Sequence, residues 1–171
     1  IPRGVGAHPH KGFETVTIAY KGKIEHKDSR GNHGVIGEGD VQWMTAGSGI
    51  LHQEYHEENF SKQGGTFQMV QLWVNLPAKD KETDPQYQDI LFDKMTKVDL
   101  ENGSYINVIA GSYNGHQGTG TTFSPIDMYN AYLKKGTKAD FTFDTTWSTA
   151  ILIIEGSVKV NGETILEKDS F

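Results

Sequence analysis

Four side chains in two short motifs could together hold a transition metal. His8-Pro-His10 sets two imidazoles at positions i and i+2, and His52-Gln-Glu54 sets an imidazole and a carboxylate at the same spacing. In an extended strand alternate side chains project from one face, so each motif presents both of its donors to the same side. Two such strands side by side would converge on one ion. Nitrogen and oxygen donors suit iron, nickel, manganese, copper or zinc, and a chain without cysteine has no thiolate to offer. An octahedral ion held by four protein atoms keeps two positions for water, oxygen or a substrate. A single His-x-His also fits an exposed surface strand. The second motif, entered through the glycine turn Ala46-Gly-Ser-Gly49, tips the reading toward a metal centre.

Other chemistries find less support. His52-Gln-Glu-Tyr-His56 has two histidines at helical spacing, but the zinc-protease motif needs glutamate directly after the first histidine, and Gln53 stands there. Glycines on the entry side also oppose a helix. His56 is expected near the mouth of the site or in solvent, and His26, His33 and His116 are expected to be exposed. Trp43, Trp73 and Phe67 are candidates for the core of a barrel. There is no glycine-rich phosphate loop before a helix and no Gly-x-Ser-x-Gly elbow.

The elements that must position these residues are short strands punctuated by glycine. Glu14–Tyr20, Ile24–His26, Val35–Ile36 and Val41–Met44 read as strands, and Thr66–Val74 alternates most clearly. The polar stretch 77–101, opening on Pro77-Ala-Lys-Asp-Lys-Glu-Thr-Asp-Pro85, reads as a connector. Strand patterns resume at Tyr105–Ala110, and Gly111–Thr122 reads as a Gly/Thr-rich loop, mobile over 111–120. Met128–Leu133, Asp140–Phe143, Thr149–Ile154 and Ser157–Val160 form a second set. The two sets echo each other. Gly22 closes one apolar run and Gly156 another, and each is followed by an alternating strand. On that register His8, His10 and Glu14 fall opposite Thr142, Asp144 and Ser148, so a duplication would carry its chemistry in one copy.

Composition agrees with an all-β class: 20 glycines and many short Val/Ile/Thr/Tyr/Phe runs in 171 residues. A chain of this size can bury a core without covalent staples. The net charge of −6 is spread along the chain, which argues against direct nucleic-acid binding or an anionic membrane partner. The lysines between Lys21 and Arg30 alternate with Glu25 and Asp28 and read as a solvated strand face. The longest aliphatic run, Ala150–Ile154, is too short to span a bilayer. A cytoplasmic location is expected from the missing cysteines. No signal-peptide pattern is present, although the sequence begins at Ile1 and a leader could precede it.

Longer motifs make the chain resemble a known family. His8-Pro-His-Lys-Gly-Phe-Glu-Thr-Val-Thr17, Glu25-His-Lys-Asp-Ser29, Gly37-Glu-Gly-Asp-Val-Gln-Trp-Met-Thr-Ala-Gly47 and Gly49-Ile-Leu-His-Gln-Glu54 are similar to the signature of the pirins. Gln71-Leu-Trp-Val-Asn-Leu-Pro77 and Tyr87-Gln88 resemble its continuation. The resemblance implies a bicupin, two β-barrels in one chain. Residues 1–100 would be the metal-binding N-terminal barrel with its connector, and residues 101–171 a partial C-terminal barrel without metal. The pattern would continue beyond both ends of the sequence. Carried over residue by residue, the ligands are His8, His10, His52 and Glu54, with Glu14 at most a supporting residue. Fe(II) is the implied ion, with Ni, Mn, Cu or Zn as alternatives. The implied activity is dioxygenation of quercetin or a similar flavonol, from a phenolic substrate and O2. Glu54 would act as general base and Met44, Ile50 and Leu72 would line a dry pocket. The rival implication is a non-enzymatic, metal- or redox-responsive regulator that binds a protein partner.

Overall fold

The β-branched run around Val16 is a strand in the computed structural model, which describes residues 3–170. Within the first part of the chain these strands are β1 (Gly4–His10), β2 (Phe13–Lys21), β3 (Ile24–Asp28), β4 (His33–Ile36), β5 (Val41–Thr45) and β6 (Ile50–His56). A short helix, α1 (Glu58–Gln63), leads to β7 (Gln68–Asn75) and β8 (Gln86–Ile90). They form two four-stranded antiparallel sheets, ordered β1-β6-β3-β4 and β7-β2-β5-β8, in the cupin manner. Beyond them lie β9 (Thr96–Asp99), β10 (Tyr105–Ala110), the two-residue β11 (Ser112–Tyr113) and β12 (His116–Gln117), and β13 (Met128–Tyr132). β14 (Ser157–Val160) and β15 (Thr164–Glu167) pair as a hairpin. The protein is all-β, with α1 the single α-helix among the described residues.

β2 divides its side chains between two environments, as a strand of period two must. Thr15, Thr17 and Ala19 face the other sheet. Val16 and Ile18 face outward and are buried with Val41, Trp43, Ile90, Met95, Ile109 and Ala110. That outer cluster joins the first sheet system to β10 and the segment ahead of β9, so the chain parts into compact units at Ile1–Thr137 and Lys138–Phe171. The junction of the two expected barrels at 100/101 lies within the first of these units, and apolar side chains from both sides of it, Met95 and Ile109 among them, pack together.

Three expectations are corrected. The stretch 77–101 contains β8, paired with β5 from Val41↔Ile90 to Thr45↔Gln86, and β9, paired with β10. The segment 111–122 is packed rather than free: Gly118 N–H donates to Gly111 O at 2.8 Å and Gly120 N–H to Ile109 O at 2.7 Å. Asp140–Phe143 and Thr149–Ile154 form no strand. β-propensity records how well a side chain fits a sheet already present, and no paired strand among the described residues flanks either run. Among the described residues no helix is long and apolar enough to cross a membrane.

Candidate metal centre

The pairing of β1 with β6 places His8 opposite His52 and His10 opposite Ile50. The first motif thereby meets the second face to face. The three imidazoles form one cluster: ring centroids lie 4.4 Å apart for His8 and His52, and 4.7 Å apart for His10 with each of the other two. Their candidate ligand atoms all fall within 4.8 Å of one another. His10 and His52 are buried, and His8 is half-buried at the rim.

The hydrogen bonds suit a cation. His8 Nδ1 lies 2.8 Å from Gly6 O, which fixes the proton on Nδ1 and leaves Nε2 as a lone pair. That Nε2 sits 3.0 Å from His52 Nε2. His10 Nε2 and His52 Nδ1 are buried with no hydrogen-bond partner among the described residues. Burial, reinforced by the neighbouring imidazoles, pushes His10 and His52 down to about 4, so both rings are neutral near pH 7. Neutral imidazoles whose ligand atoms cluster this closely are the donors a divalent ion needs. The residues fit the group.

Glu54 lies on the same face of β6, two positions beyond His52, but its carboxylate is outside that three-histidine group. It is buried and held by neutral donors: Gln71 Nε2 at 3.0 Å from each carboxylate oxygen and Thr17 Oγ1 at 3.4 Å. Gln71 comes from β7, paired with Thr17 of β2. Glu14 is on the opposite face of β2 from Thr17. Its carboxylate accepts from Thr45 Oγ1 at 2.7 Å, and its pKa is raised by burial against the opposing effect of Thr45 and Trp43. The parity of β2 therefore keeps Glu14 out of the histidine cluster.

Several other side chains lie differently from the sequence reading. His26, expected in solvent, is 3% exposed, paired across from Glu54, and stacked on Tyr87 with centroids 5.4 Å apart. Gln42 Nε2 lies 2.8 Å from its Nε2. Gly34 makes room for the ring, since a Cβ there would stand 2.5 Å from His26 Cε1. The alternation His26-x-Asp28, matching His52-x-Glu54, was the signal that could have found it. Trp73, expected in the core, is 68% exposed and stands beside Phe13 and His10, at 4.7 and 5.6 Å between ring centroids. Trp43 is buried as expected, but in the outer cluster. Phe67 is partly buried and packs against His56 at 4.1 Å, so His56 is not free in solvent. Met44 and Ile50 are buried together, whereas Leu72 points outward from β7 and is 39% exposed.

Comparison with known proteins places these motifs in context. The sequence model of the pirin family matches residues 1–74. A Pseudomonas aeruginosa protein named "putative quercetin 2,3-dioxygenase" is 49% identical over 96% of this chain and 58% of its own length. A Thermoplasma acidophilum protein of the same name is 36% identical over 95% of this chain and 68% of its own. The crystal structure of a quercetin 2,3-dioxygenase from Acinetobacter baumannii superposes with a TM-score of 0.94 at 48% identity, covering 99% of this chain and 59% of that one. The chain thus spans a little under three fifths of the first and third of these relatives.

Proposed function

Since the chain belongs to the pirin family, we propose that it is a metal-dependent dioxygenase of quercetin or a similar flavonol, working in the cytoplasm with one Fe(II) per chain. The observation that carries this reading is the cluster of three imidazoles whose ligand atoms lie within 4.8 Å of one another, with His10 Nε2 buried and without a hydrogen-bond partner among the described residues. His8, His10 and His52 would hold the ion, with Glu54, two positions beyond His52 on β6, as the fourth ligand. Residues 101–171 belong, on this reading, to a second cupin barrel in which Thr142, Asp144 and Ser148 supply no comparable set.

When bound, a divalent cation supplies Lewis acidity toward a phenolic hydroxyl. The remaining work falls to the chain. Glu54 accepts the hydroxyl proton on a carboxylate oxygen, as a buried base. Met44 and Ile50 keep the interior apolar and exclude water near that proton transfer. The exposed face of Trp73, beside Phe13 and His10, offers a flat aromatic ring a surface at the edge of the site. Molecular oxygen is the second substrate.

Oxygen-electrode measurements with quercetin and iron-loaded protein test the proposal. The unmutated protein should consume oxygen, and Glu54→Gln, with metal content measured on the same sample, should lose roughly 10²–10⁴-fold in turnover. Full activity in metal-loaded Glu54→Gln removes that residue from the reaction. No uptake with iron, nickel, manganese or copper would favour instead a metal-responsive regulator that binds a protein partner.

A further inference from the structure

The Glu54 carboxylate has a structural neighbour with no role so far. Gln71 Nε2 stands 3.0 Å from Glu54 Oε1, 3.0 Å from Oε2 and 3.0 Å from Thr17 Oγ1. An ionised carboxylate only accepts, so the end of the amide that meets it must be the NH2. The other end is fixed as well: Trp73 Nε1, which only donates, lies 3.4 Å from Gln71 Oε1. Both ends of the amide are thus assigned by groups that can hydrogen-bond in one sense only. β7 supplies Gln71 and Trp73 two residues apart on one face, opposite Thr17 and Thr15 of β2. A rigid strand therefore carries both the group that holds the carboxylate and the group that orients the holder.

We propose that Gln71 is the positioning residue for Glu54, and that the indole N–H of Trp73 sets the direction of its amide. This rests on the reading of the histidine cluster as a metal centre, with Glu54 as its fourth ligand. Without Gln71 the carboxylate keeps, among the described residues, one weak donor, the Thr17 hydroxyl at 3.4 Å, and loses the contact that addresses both of its oxygens. Groups that hydrogen-bond a metal ligand typically govern metal affinity by about 10–100-fold. Because Gln71 touches none of the three imidazoles through a hydrogen bond in this structure, its influence on the ion should pass through Glu54.

A double-mutant cycle in metal affinity reads this without turnover. Ni(II) binding is measured by chelator competition, and Co(II) absorption reports the ligand field of the same proteins. Gln71→Met, of similar length but without donors, should weaken Ni(II) binding by roughly 10–100-fold and alter the Co(II) spectrum. In a Glu54→Gln background the same change should have almost no further effect, within about twofold. Equal losses in both backgrounds, or no loss in either, overturn the proposal while leaving the metal centre standing. An unmutated protein that takes up neither ion overturns both. Trp73→Phe, at an exposed position, tests the chain of contacts should Gln71→Met fail to fold. It should weaken binding by a smaller factor that also vanishes with Glu54→Gln, and an unchanged or background-independent affinity overturns the role given to Trp73.

Discussion

Two stretches of the chain share one pattern, an apolar run closed by a glycine and followed by a short alternating strand. In the first, Thr15–Lys21 leads through Gly22 to β3. In the second, Thr149–Glu155 leads through Gly156 to β14. Both glycines adopt left-handed conformations, with φ of +87° and +77°, and both alternating strands form. Only the first apolar run becomes a strand. β2 has β5 on one side and β7 on the other, and its residues from Glu14 to Ala19 are buried. In the second run Ile151 and Leu152 are each 42% exposed, and Ile153 exchanges backbone bonds with Asp169 and Ser170 outside any sheet. Turn and alternation are local properties, encoded by a few residues. A buried strand needs neighbours on both edges, which the local sequence cannot supply. The chemistry follows the same division, since donors converge only where strands are held side by side.

The strongest way to break this comparison is through the ligands. His52→Ala should weaken metal binding by more than the roughly 100-fold at the upper end for groups that merely support a ligand. Asp144→Ala, at the place that matches His10 in the second pattern, should leave it unchanged. Elemental analysis of fully loaded protein should approach one metal per chain, and a value near two would give the second half a site of its own.

The two glycines sharpen it next. An added methyl at Gly22 would stand 2.7 Å from Phe60 Cζ and 3.0 Å from Phe67 Cδ2, whereas nothing lies within 4 Å at Gly156. Gly156→Ala should therefore bear only the left-handed backbone penalty of about 1–2 kcal/mol. Gly22→Ala should add the displacement of two aromatic rings and lower the thermal midpoint further. Equal shifts in thermal unfolding would mean that the first turn is no more tightly built than the second.

The last test is of pH. All seven histidines precede residue 138. The native state holds His10 and His52 at about 4 against an ordinary 6.5, so the unfolded chain binds more protons between those values. Stability of the metal-free protein should thus fall as the pH drops from about 6.5 towards 4. Glu14, raised by burial, works in the opposite sense and loses its contribution as the pH climbs above 4.5. Comparison with a His10→Asn/His52→Asn variant isolates the imidazoles. A variant with the same pH slope in its melting temperature would show that they do not govern it.

Much of the first sheet system was legible because its residues carry strong local signals. The His-x-His and His-x-Glu spacings placed three donors on shared faces, and Tyr105–Ala110 and Ser157–Val160 have the bounds read from alternation. What could not be read depends on packing between distant segments. Trp43 and Trp73 look alike in sequence, yet strand parity buries one among Val16 and Ile109 and leaves the other at the edge of the site. His26 is buried because Gly34, eight residues away, has no side chain. β8 was hidden by its composition, since Gln86-Tyr-Gln-Asp-Ile90 is mostly polar and becomes a strand by completing the edge of β5.

β2 separates the side that carries the histidine cluster from an apolar core with a wall one residue thick. Its meaning is carried by odd and even positions, so it tolerates exchange of side chains far better than a change of length. Slipping its pairing by one residue would turn Glu14, Val16 and Ile18 toward the histidines and send Thr15 and Thr17 into the outer cluster. A single inserted residue would thus place a carboxylate from β2 on the histidine side and remove one of Glu54's partners in the same stroke. The choice of which glutamate can serve the ion is written in the counting of this strand as much as in the identity of its residues.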